Sequence, residues 1–302
     1  MSKMKVVVTG GRGKVGRPLV AALAAAGHDV TAVDLSAPGF ERKEAGEPRY
    51  IQADLTDAGS AFAVISGADA VVHTAAIPEP TGNPAHVVFG TNMMATFNTL
   101  EAAVRTGVRR FVNISSETVP GFFFPERAFL PTYAPVDELH PIAPQDPYAL
   151  SKHFGEQLMD AAVRRSDIRC ISIRPCWVQN ETNYEFNLGP QIRDASNLSQ
   201  NLWSYIDVYD LADAIVLATE SELPGHEVFY IASPDNVGGH DFAEVMKTYY
   251  GDSIEVRELD RRDASGISSA KAMRMLGWEP KRSWRDYLDT DGKLLKAPSE
   301  EG

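Results

Sequence analysis

Cysteine is scarce in this chain, whose 302 residues include only Cys170 and Cys176, close together in an apolar segment. Two cysteines cannot build a disulfide framework for a chain of this size, so we expect reduced thiols. Long apolar runs are also lacking, and none approaches the roughly 20 residues that span a bilayer. The first residues, MSKMKVVVTG, show neither the apolar core nor the cleavage site of a secretory signal. We therefore expect cytoplasmic localisation and no membrane partner.

Positive charge is in deficit, because 29 lysines and arginines face 41 acidic residues and give a net charge of −12. Nucleic acid and anionic lipid would repel such a chain, so we expect neither as a partner. The seven histidines are scattered without metal-ligand spacing, and no metal site is expected. With 44% apolar and 23% charged residues, the composition excludes a disordered, collagen-like or coiled-coil chain.

What is present is a regular alternation of two patterns over the first two-thirds of the chain. Short apolar, β-branched runs alternate with segments of helical period, which predicts an α/β fold with a Rossmann-type doubly wound parallel sheet. The runs are apolar almost throughout, as expected for strands covered on both faces. The predicted strands are Lys5–Thr9, Asp29–Val33, Arg49–Gln52, Ala70–His73, Arg110–Ser115 and Arg169–Arg174, and the predicted helices include Val15–Ala26, Pro84–Thr106 and Pro147–Arg165.

The pattern changes after Pro175. Residues 176–203 are polar and irregular, a strand–helix pattern returns over 205–232, and short helices around one strand follow from Phe242. We therefore predict a dinucleotide-binding domain from residues 1–177 with 204–234. A smaller C-terminal α+β substrate lobe would comprise 178–203 with 235–302. The long connection 117–145 is rich in proline and aromatic residues and is expected to serve a site or an interface.

A glycine-rich turn follows the first predicted strand, in the sequence TGGRGKVG at 9–16. Glycines let a pyrophosphate approach the free N–H groups at the following helix N-terminus. Asp34, at the end of the second strand, can accept both ribose hydroxyls and would repel a 2′-phosphate, which favours NAD over NADP. Arg12 argues the other way, since its guanidinium could pair with that phosphate. The alternative is a strand–helix turn without a ligand.

Asp54 and Leu55 follow the third strand and suit an adenine pocket, with an acceptor beside an apolar wall. Asp54 could equally be a helix cap.

Tyr148 and Lys152 lie four residues apart at the start of a helix that Asp146 and Pro147 are suited to begin. The two side chains therefore share one face. An ammonium about 5 Å from a phenol stabilises its ionised form by roughly 3 kcal/mol at an effective dielectric of ~20. The pair can thus take a proton from an alcohol, and Ser116, at a strand end, can hold the substrate oxygen. The alternatives are an exposed helix face and a strand-end cap.

These features resemble the extended short-chain dehydrogenase/reductase family and its NAD-dependent epimerase/dehydratase group. The matching segments run in family order: TGGRGKVG (9–16), ADL (53–55), HTAA (73–76), SSETV (115–119), YALSK (148–152), YIDVYDLADA (205–214) and LGWEP (276–280). The resemblance implies that Ser116, Tyr148 and Lys152 are catalytic. It also implies a cofactor site formed by Gly10, Gly13, Lys14, Val15, Gly16, Asp34, Asp54, Leu55, Ala75, Asn92, Tyr148, Lys152 and Pro175.

The chain departs from the family in three ways. The Thr-Asp-Glu triplet of the dehydratases is replaced by Ser116-Glu117-Thr118, which argues against dehydration. Trp203 stands where UDP-sugar epimerases have a phosphate-binding arginine, and Asp207 adds a negative charge, so a nucleotide diphosphate would lose a strong contact. Arg257, Arg261 and Arg262 either compensate or form a solvated basic face. The short lobe suits a free sugar or sugar acid.

The resemblance therefore implies an NAD-dependent dehydrogenase of a sugar-type hydroxyl or hemiacetal carbon. The alternatives are a nucleotide-sugar 4-epimerase and, more remotely, a non-catalytic dinucleotide sensor. Glu117, Thr118, Asn183 and Arg257 are the candidate substrate residues; the Asn183-Tyr184 pair is similar to one in uronate dehydrogenases. A homodimer through the predicted helices 84–106 and 147–165 is expected. Phe122, Phe123 and Phe124 are candidates for a pocket wall, a dimer contact or core packing.

Overall fold

The computed structural model describes residues 3–36, 48–197 and 200–295. Its centre is a seven-stranded parallel sheet in the order β10-β7-β5-β4-β1-β2-β3. The predicted fold class is confirmed, and the strand runs fall within a residue or two of their predicted bounds. These strands are β1 (Lys5–Thr9), β2 (Asp29–Asp34), β3 (Arg49–Gln52), β4 (Ala70–His73), β5 (Arg110–Ile114), β7 (Arg169–Pro175) and β10 (His226–Ile231).

Helices cover both faces of the sheet. Successive residues of β1 show why, since Val6 and Val8 enter one apolar core and Val7 enters the other. The first core receives α1 and α6, and the second receives α2, α3 and α4. A strand buried on both faces requires the nearly continuous apolar sequence seen here. The helices are α1 (Gly16–Ala25), α2 (Ala58–Ile65), α3 (Ala85–Thr106), α4 (Pro147–Arg165) and α6 (Val208–Glu220).

Aspartates begin several of these helices. Asp146 accepts hydrogen bonds from the backbone N–H groups of Tyr148 and Ala149, both at 2.9 Å, and Pro147 occupies the first turn of α4. Asp57 and Asp207 cap α2 and α6 in the same way. Capping satisfies N–H groups that have no partner within the helix and fixes the residue at which the helix begins. Tyr148 therefore has a defined place in the first turn of α4.

The remaining elements surround one end of the sheet. Two short parallel pairs join β6 (Tyr133–Ala134) to β11 (Glu255–Val256) and β8 (Val178–Gln179) to β9 (Ile206–Asp207). The other helices are α5 (Tyr184–Arg193), α7 (Phe242–Tyr250), α8 (Ala270–Leu276) and a 3₁₀ turn at Trp284–Asp286.

Helix α5 corrects the expectation that residues 176–203 are irregular. Its polar residues and the internal Pro190 hide a helical period, because only a few of its side chains pack inward, among them Tyr184 and Leu188. Burial of those two side chains, rather than local sequence preference, stabilises this helix.

The apolar core is continuous between the two predicted domains. The core that contains Leu19 of α1 also contains aromatic side chains of the predicted substrate lobe, namely Tyr184, Phe242, Trp278 and Trp284. Residues 1–2, 37–47, 198–199 and 296–302 of the predicted division lie outside the described residues. Within the described part of the chain, no helix combines the length and apolar character needed to cross a membrane.

Candidate functional site

A cleft of about 740 Å³ lies at the carboxyl ends of β1, β2, β4, β5 and β7. This volume is within the range of about 300–1,000 Å³ found for small-molecule and cofactor sites. In open α/β sheets, ligands bind at this edge. Most of the predicted site residues line the cleft, namely Gly10, Gly13, Lys14, Val15, Gly16, Asp34, Asp54, Leu55, Ala75, Ser116, Glu117, Thr118, Tyr148, Lys152 and Pro175.

The glycine-rich turn packs too tightly for side chains at two positions. Gly10 has a φ of +65°, and a Cβ there would lie 2.6 Å from Oγ1 of Thr74 and 2.8 Å from the backbone nitrogen of Ala75. A Cβ at Gly16 would overlap the carbonyl oxygen of Gly10. Glycine therefore allows the strand-to-helix turn to approach both β4 and the start of α1.

The N-terminus of α1 differs from those of α2, α4 and α6, which aspartates cap. Val15 occupies the capping position without a side-chain hydrogen bond, and the first turn holds no acidic residue. The positive end of the helix dipole therefore faces the cleft without a carboxylate cap, which fits a diphosphate group. Lys14 lines the same wall and donates a hydrogen bond to the carbonyl oxygen of Val178, while burial lowers its pKa.

Asp34 lies at the end of β2 as a charged group. Its carboxylate accepts hydrogen bonds from the backbone of Arg12 at 3.0 Å and from the backbone and hydroxyl of Ser36 at 3.1 and 3.0 Å. Partial burial favours the neutral acid, but these hydrogen bonds outweigh it and hold the pKa of Asp34 below its usual value. A negative charge at this point suits ribose hydroxyls as donors and opposes a 2′-phosphate.

Asp54 also lines the cleft, and its two proposed roles can be separated. The cap of α2 is Asp57, whose carboxylate accepts from the backbone of Ser60 at 2.7 Å. Asp54 instead accepts from the backbone and hydroxyl of Thr56 at 2.9 and 2.7 Å. It therefore shapes the turn that leads into α2 and remains available to the cleft.

Asn92 does not line the cleft. Its side-chain amide accepts from the backbone nitrogen of Ile77 at 2.8 Å and donates to the carbonyl of Ile77 at 3.1 Å and to the hydroxyl of Ser151 at 3.2 Å. All these contacts are with other residues of the chain, and direct cofactor contact by Asn92 stays a prediction. Asn92 fixes the 74–79 loop, which forms one wall of the cleft.

Tyr148, Lys152 and Ser116 lie together in the lining of the cleft. Tyr148 and Lys152 are 9% and 8% exposed, so they do not form an exposed helix face. The Lys152 ammonium lies 5.6 Å from the centre of the Tyr148 ring and donates to the carbonyl of Ile114 at 2.7 Å. The Ser116 hydroxyl is hydrogen bonded to Tyr148 and accepts from the backbone and hydroxyl of Thr118 at 3.1 and 3.0 Å.

Burial sets the protonation of this group. It raises the pKa of Tyr148 to about 12, a shift that the hydrogen bond with Ser116 opposes and the charges of Glu117 and Asp146 reinforce. It lowers the pKa of Lys152 to about 8, opposed by the charge of Glu156. Lys152 is therefore mainly cationic at pH 7, while Tyr148 is a neutral phenol. The expected net lowering of the Tyr148 pKa is not found, because desolvation outweighs the hydrogen bond from Ser116.

Glu117 lies beside these residues and is 8% exposed. Its Oε2 atom is buried without a hydrogen-bond partner. Burial raises its pKa well above the ordinary value, against hydrogen bonds from the Cys176 thiol and the Trp177 backbone. These surroundings favour the neutral form of the carboxyl group, because an ionised oxygen without a partner is costly to bury.

Two of the predicted substrate residues lie outside the cleft. The Arg257 guanidinium stacks 3.2 Å from the centre of the Tyr133 ring and lies 3.6 Å from Asp137. Asn183 precedes α5 and accepts from the backbone of Asn180 at 2.8 Å. Neither residue lines the cleft, and substrate contact by Asn183 and Arg257 stays a prediction.

The structure assigns internal roles to the two residues that depart from the epimerase pattern. Trp203 is fully buried and packs against Tyr249 and Tyr250, so its indole does not take the place of a phosphate-binding side chain. Asp207 is also fully buried, where it caps α6 and accepts from the Tyr184 hydroxyl at 2.8 Å. It adds no free negative charge to the cleft.

Arg261 and Arg262 form ion pairs with Asp263 and Asp241, at 2.6 and 2.7 Å. No described residue that lines the cleft is an arginine. Within the described ranges, no group of three or more His, Cys, Asp or Glu residues could hold a metal ion.

Several lining residues were not predicted as site residues, including Thr74, Ile77, Pro78, Trp177 and Val178. The available signals were their position just after β4 and β7 and, for Thr74, its place in the HTAA segment at 73–76. Phe124 lines the cleft, whereas Phe122 and Phe123 are buried in the core with ring centres 4.4 Å apart.

The parallel sheet, the glycine-rich turn and the buried Ser–Tyr–Lys group define an enzyme of the extended short-chain dehydrogenase/reductase class. The sequence model of the NAD-dependent epimerase/dehydratase family matches residues 6–232. The chain therefore belongs to that family.

Individual relatives are distant and have different activities. A UDP-glucose 4-epimerase from Corynebacterium glutamicum is 27% identical, with 93% of this chain and 92% of the relative aligned. A uronate dehydrogenase from Pseudomonas syringae pv. tomato is 26% identical, with 88% of this chain and 85% of the relative aligned. A short-chain dehydrogenase/reductase superfamily protein from Agrobacterium tumefaciens, solved with bound NAD, is 25% identical with a TM-score of 0.69, covering 93% of this chain and 94% of that chain.

Proposed function

We propose that the protein is an NAD⁺-dependent dehydrogenase that oxidises a secondary alcohol or hemiacetal carbon of a sugar-type substrate. The observation that carries this proposal is that Tyr148, Ser116 and Lys152 lie together in the cleft that the glycine-rich turn also lines. The relationship to a uronate dehydrogenase over most of the chain supports it.

NAD fits the residues present. The tightly packed turn at Gly10 and Gly16, the uncapped start of α1 and the charged Asp34 suit diphosphate and ribose groups. Asp34 favours NAD over NADP. When bound, NAD⁺ supplies the hydride acceptor and a positive charge near the reacting carbon.

Ser116 and Tyr148 would bind the substrate oxygen between them. The Ser116 hydroxyl accepts two hydrogen bonds from Thr118, which leaves its own proton to donate to that oxygen. Tyr148, once ionised, takes the hydroxyl proton as the carbonyl forms. Its pKa of about 12 means that this ionisation needs positive charge nearby. Lys152 supplies part of that charge, roughly 3 kcal/mol at about 5 Å and an effective dielectric of ~20.

Nucleotide-sugar 4-epimerisation is the second candidate, and the epimerase from Corynebacterium glutamicum supports it. It would require binding of a nucleotide diphosphate. Arginine is the usual partner of such a group, and the described lining of the cleft holds none. We therefore rank dehydrogenation first.

We propose that 178–203 with 235–302 form the substrate lobe and that two copies associate through α3 and α4. We further propose that the protein works in the cytoplasm, where both buried cysteines would stay reduced.

The test is an assay of NADH formation by the purified protein with NAD⁺ and a panel of aldoses, sugar alcohols and uronic acids. We expect turnover with at least one of them. Tyr148→Phe should reduce kcat by about 10²–10⁴-fold, the usual contribution of general base catalysis, and should leave NAD binding nearly unchanged.

An absence of NADH with every compound in the panel would contradict dehydrogenation. UDP-hexose interconversion without net NADH, together with NAD that co-purifies with the protein, would establish the epimerase instead.

A further inference from the structure

Glu117 is the most unusual group in the cleft, because a buried acid there has no basic partner. The two basic residues that line the cleft have other partners. Lys14 donates to the carbonyl of Val178, and Lys152 donates to the carbonyl of Ile114. No ion pair of Glu117 is found in the described structure, and Oε2 has no hydrogen-bond partner. A carboxylate held for structural reasons would be paired or exposed.

Among the described residues, the groups that face Glu117 include no cation. They are the Tyr148 phenol, the Cys176 thiol and the backbone N–H of Trp177, with Asp146 acting on the same tyrosine. Hydrogen bonds from Cys176 and Trp177 favour the ionised carboxylate, but burial outweighs them. Burial raises the pKa of Glu117 well above 4.5. A negative charge at Glu117 would raise the pKa of Tyr148 further and so oppose the ionisation that proton abstraction needs.

We propose that Glu117 is a specificity-determining residue that acts as a neutral carboxylic acid, hydrogen bonding to an uncharged hydroxyl of the sugar beside the reacting carbon. This inference rests on the proposed dehydrogenase function. A neutral carboxyl group both donates and accepts, as does a sugar hydroxyl. The cleft offers no arginine to a substrate carboxylate, so the substrate class is a neutral aldose or polyol rather than a uronic acid.

Two substitutions separate a neutral from an ionised Glu117. Glu117→Gln keeps the shape, a donor and an acceptor, whereas Glu117→Ala removes them all. We expect Glu117→Gln to keep kcat/KM within about fivefold and Glu117→Ala to lower it by about 10–100-fold, the loss expected for one buried hydrogen bond. In the pH profile of kcat/KM, the limb that reports Tyr148 ionisation should lie at the same pH in the wild type and in Glu117→Gln.

Glu126→Gln is the matched control, since it removes one carboxylate from the exposed part of the same 117–145 connection. It should change neither kcat/KM nor the pH profile. If Glu117→Gln moves the Tyr148 limb to lower pH, or loses as much activity as Glu117→Ala, Glu117 is ionised during turnover and the proposal is wrong. Preference for uronic acids over the matching aldoses would overturn the substrate class.

Thermal unfolding tests the neutral carboxyl group without any substrate. Because the folded-state pKa of Glu117 lies above the unfolded value, its contribution to stability is fully present below about pH 4.5 and is lost as the pH rises through the folded pKa. The melting temperature of Glu117→Gln relative to the wild type should therefore increase from pH 5 to pH 9. A constant difference would show that Glu117 is not buried as a neutral acid. This measurement stands even if no sugar is oxidised, in which case the dehydrogenase proposal fails separately.

Discussion

Tyr148 and Asp34 lie in one cleft, but different interactions determine their protonation states. Tyr148 is buried, and desolvation keeps it protonated until positive charge is brought near it. Asp34 sits at the rim, where three hydrogen bonds from Arg12 and Ser36 stabilise its ionised form. The first group is thus suited to exchange a proton, whereas the second holds a fixed charge, which in the proposed function would favour NAD over NADP.

At the residue scale, we predict that Asp34→Asn shifts cofactor preference towards NADP. Removing the charge removes its repulsion of the 2′-phosphate, so the ratio of kcat/KM for NAD⁺ to that for NADP⁺ should fall by about 10–100-fold, ~1.4–2.8 kcal/mol. Steady-state kinetics with both cofactors measures this ratio. Asp29→Asn, at the exposed other end of β2, is the control and should leave it unchanged. An unaltered ratio in Asp34→Asn would show that Asp34 does not contact the ribose.

At the scale of the element, α4 is held against the sheet by a buried ion pair. Glu156 accepts two hydrogen bonds from the Arg174 guanidinium, both at 2.8 Å, and one from the Ser115 hydroxyl at 2.6 Å. Arg174 also lies 5.2 Å from the centre of the Tyr230 ring. Glu156 is one turn beyond Lys152, so this pair fixes the part of α4 that carries Tyr148 and Lys152.

We predict that Glu156→Ala lowers the free energy of unfolding by about 3–5 kcal/mol, because it leaves the Arg174 charge buried without a partner. Urea denaturation measures the loss. Glu101→Ala removes a partly exposed partner of Arg165, in a pair that also joins α3 to α4, and should cost no more than about 1 kcal/mol. The double variant Glu156→Leu with Arg174→Met should recover much of the loss, since no unpaired charge remains. Equal losses in Glu156→Ala and Glu101→Ala would refute this role.

At the scale of the whole molecule, an apolar surface lies across α3 and α4. Met94, Phe97 and Phe154 are 47%, 44% and 39% exposed, and Phe89 meets Phe154 edge to face with ring centres 6.0 Å apart. Grouped apolar side chains on adjacent helices are typical of an association surface. Since α4 also carries Tyr148, a partner on this surface would rigidify the helix that forms the site.

We predict that the wild type sediments as a dimer and that Phe97→Glu raises the dissociation constant by at least about tenfold, ~1.4 kcal/mol, by burying a charge in an apolar interface. Analytical ultracentrifugation over a range of concentrations measures the change. Phe186→Glu replaces an aromatic side chain that is 84% exposed elsewhere on the molecule, and it should have no effect. A monomeric wild type, or dissociation by both variants alike, would exclude association through α3 and α4.

The sequence by itself determined the sheet, the glycine-rich turn and the helix that begins at Pro147. Each depends on local information: apolar strands between helical periods, glycines where a turn is tight, and an aspartate that caps a helix. The presence of Tyr148 and Lys152 on one face of α4 follows from the helical repeat alone.

Only the tertiary structure decided which polar side chains reach the cleft and in which charge state. Asn92 turns to the 74–79 loop and Arg257 to Tyr133 because partners distant in sequence lie beside them. The raised pKa of Glu117 arises from burial, which no spacing along the chain reveals. Strand and helix patterns are local properties, whereas desolvation and pairing depend on what folding brings together.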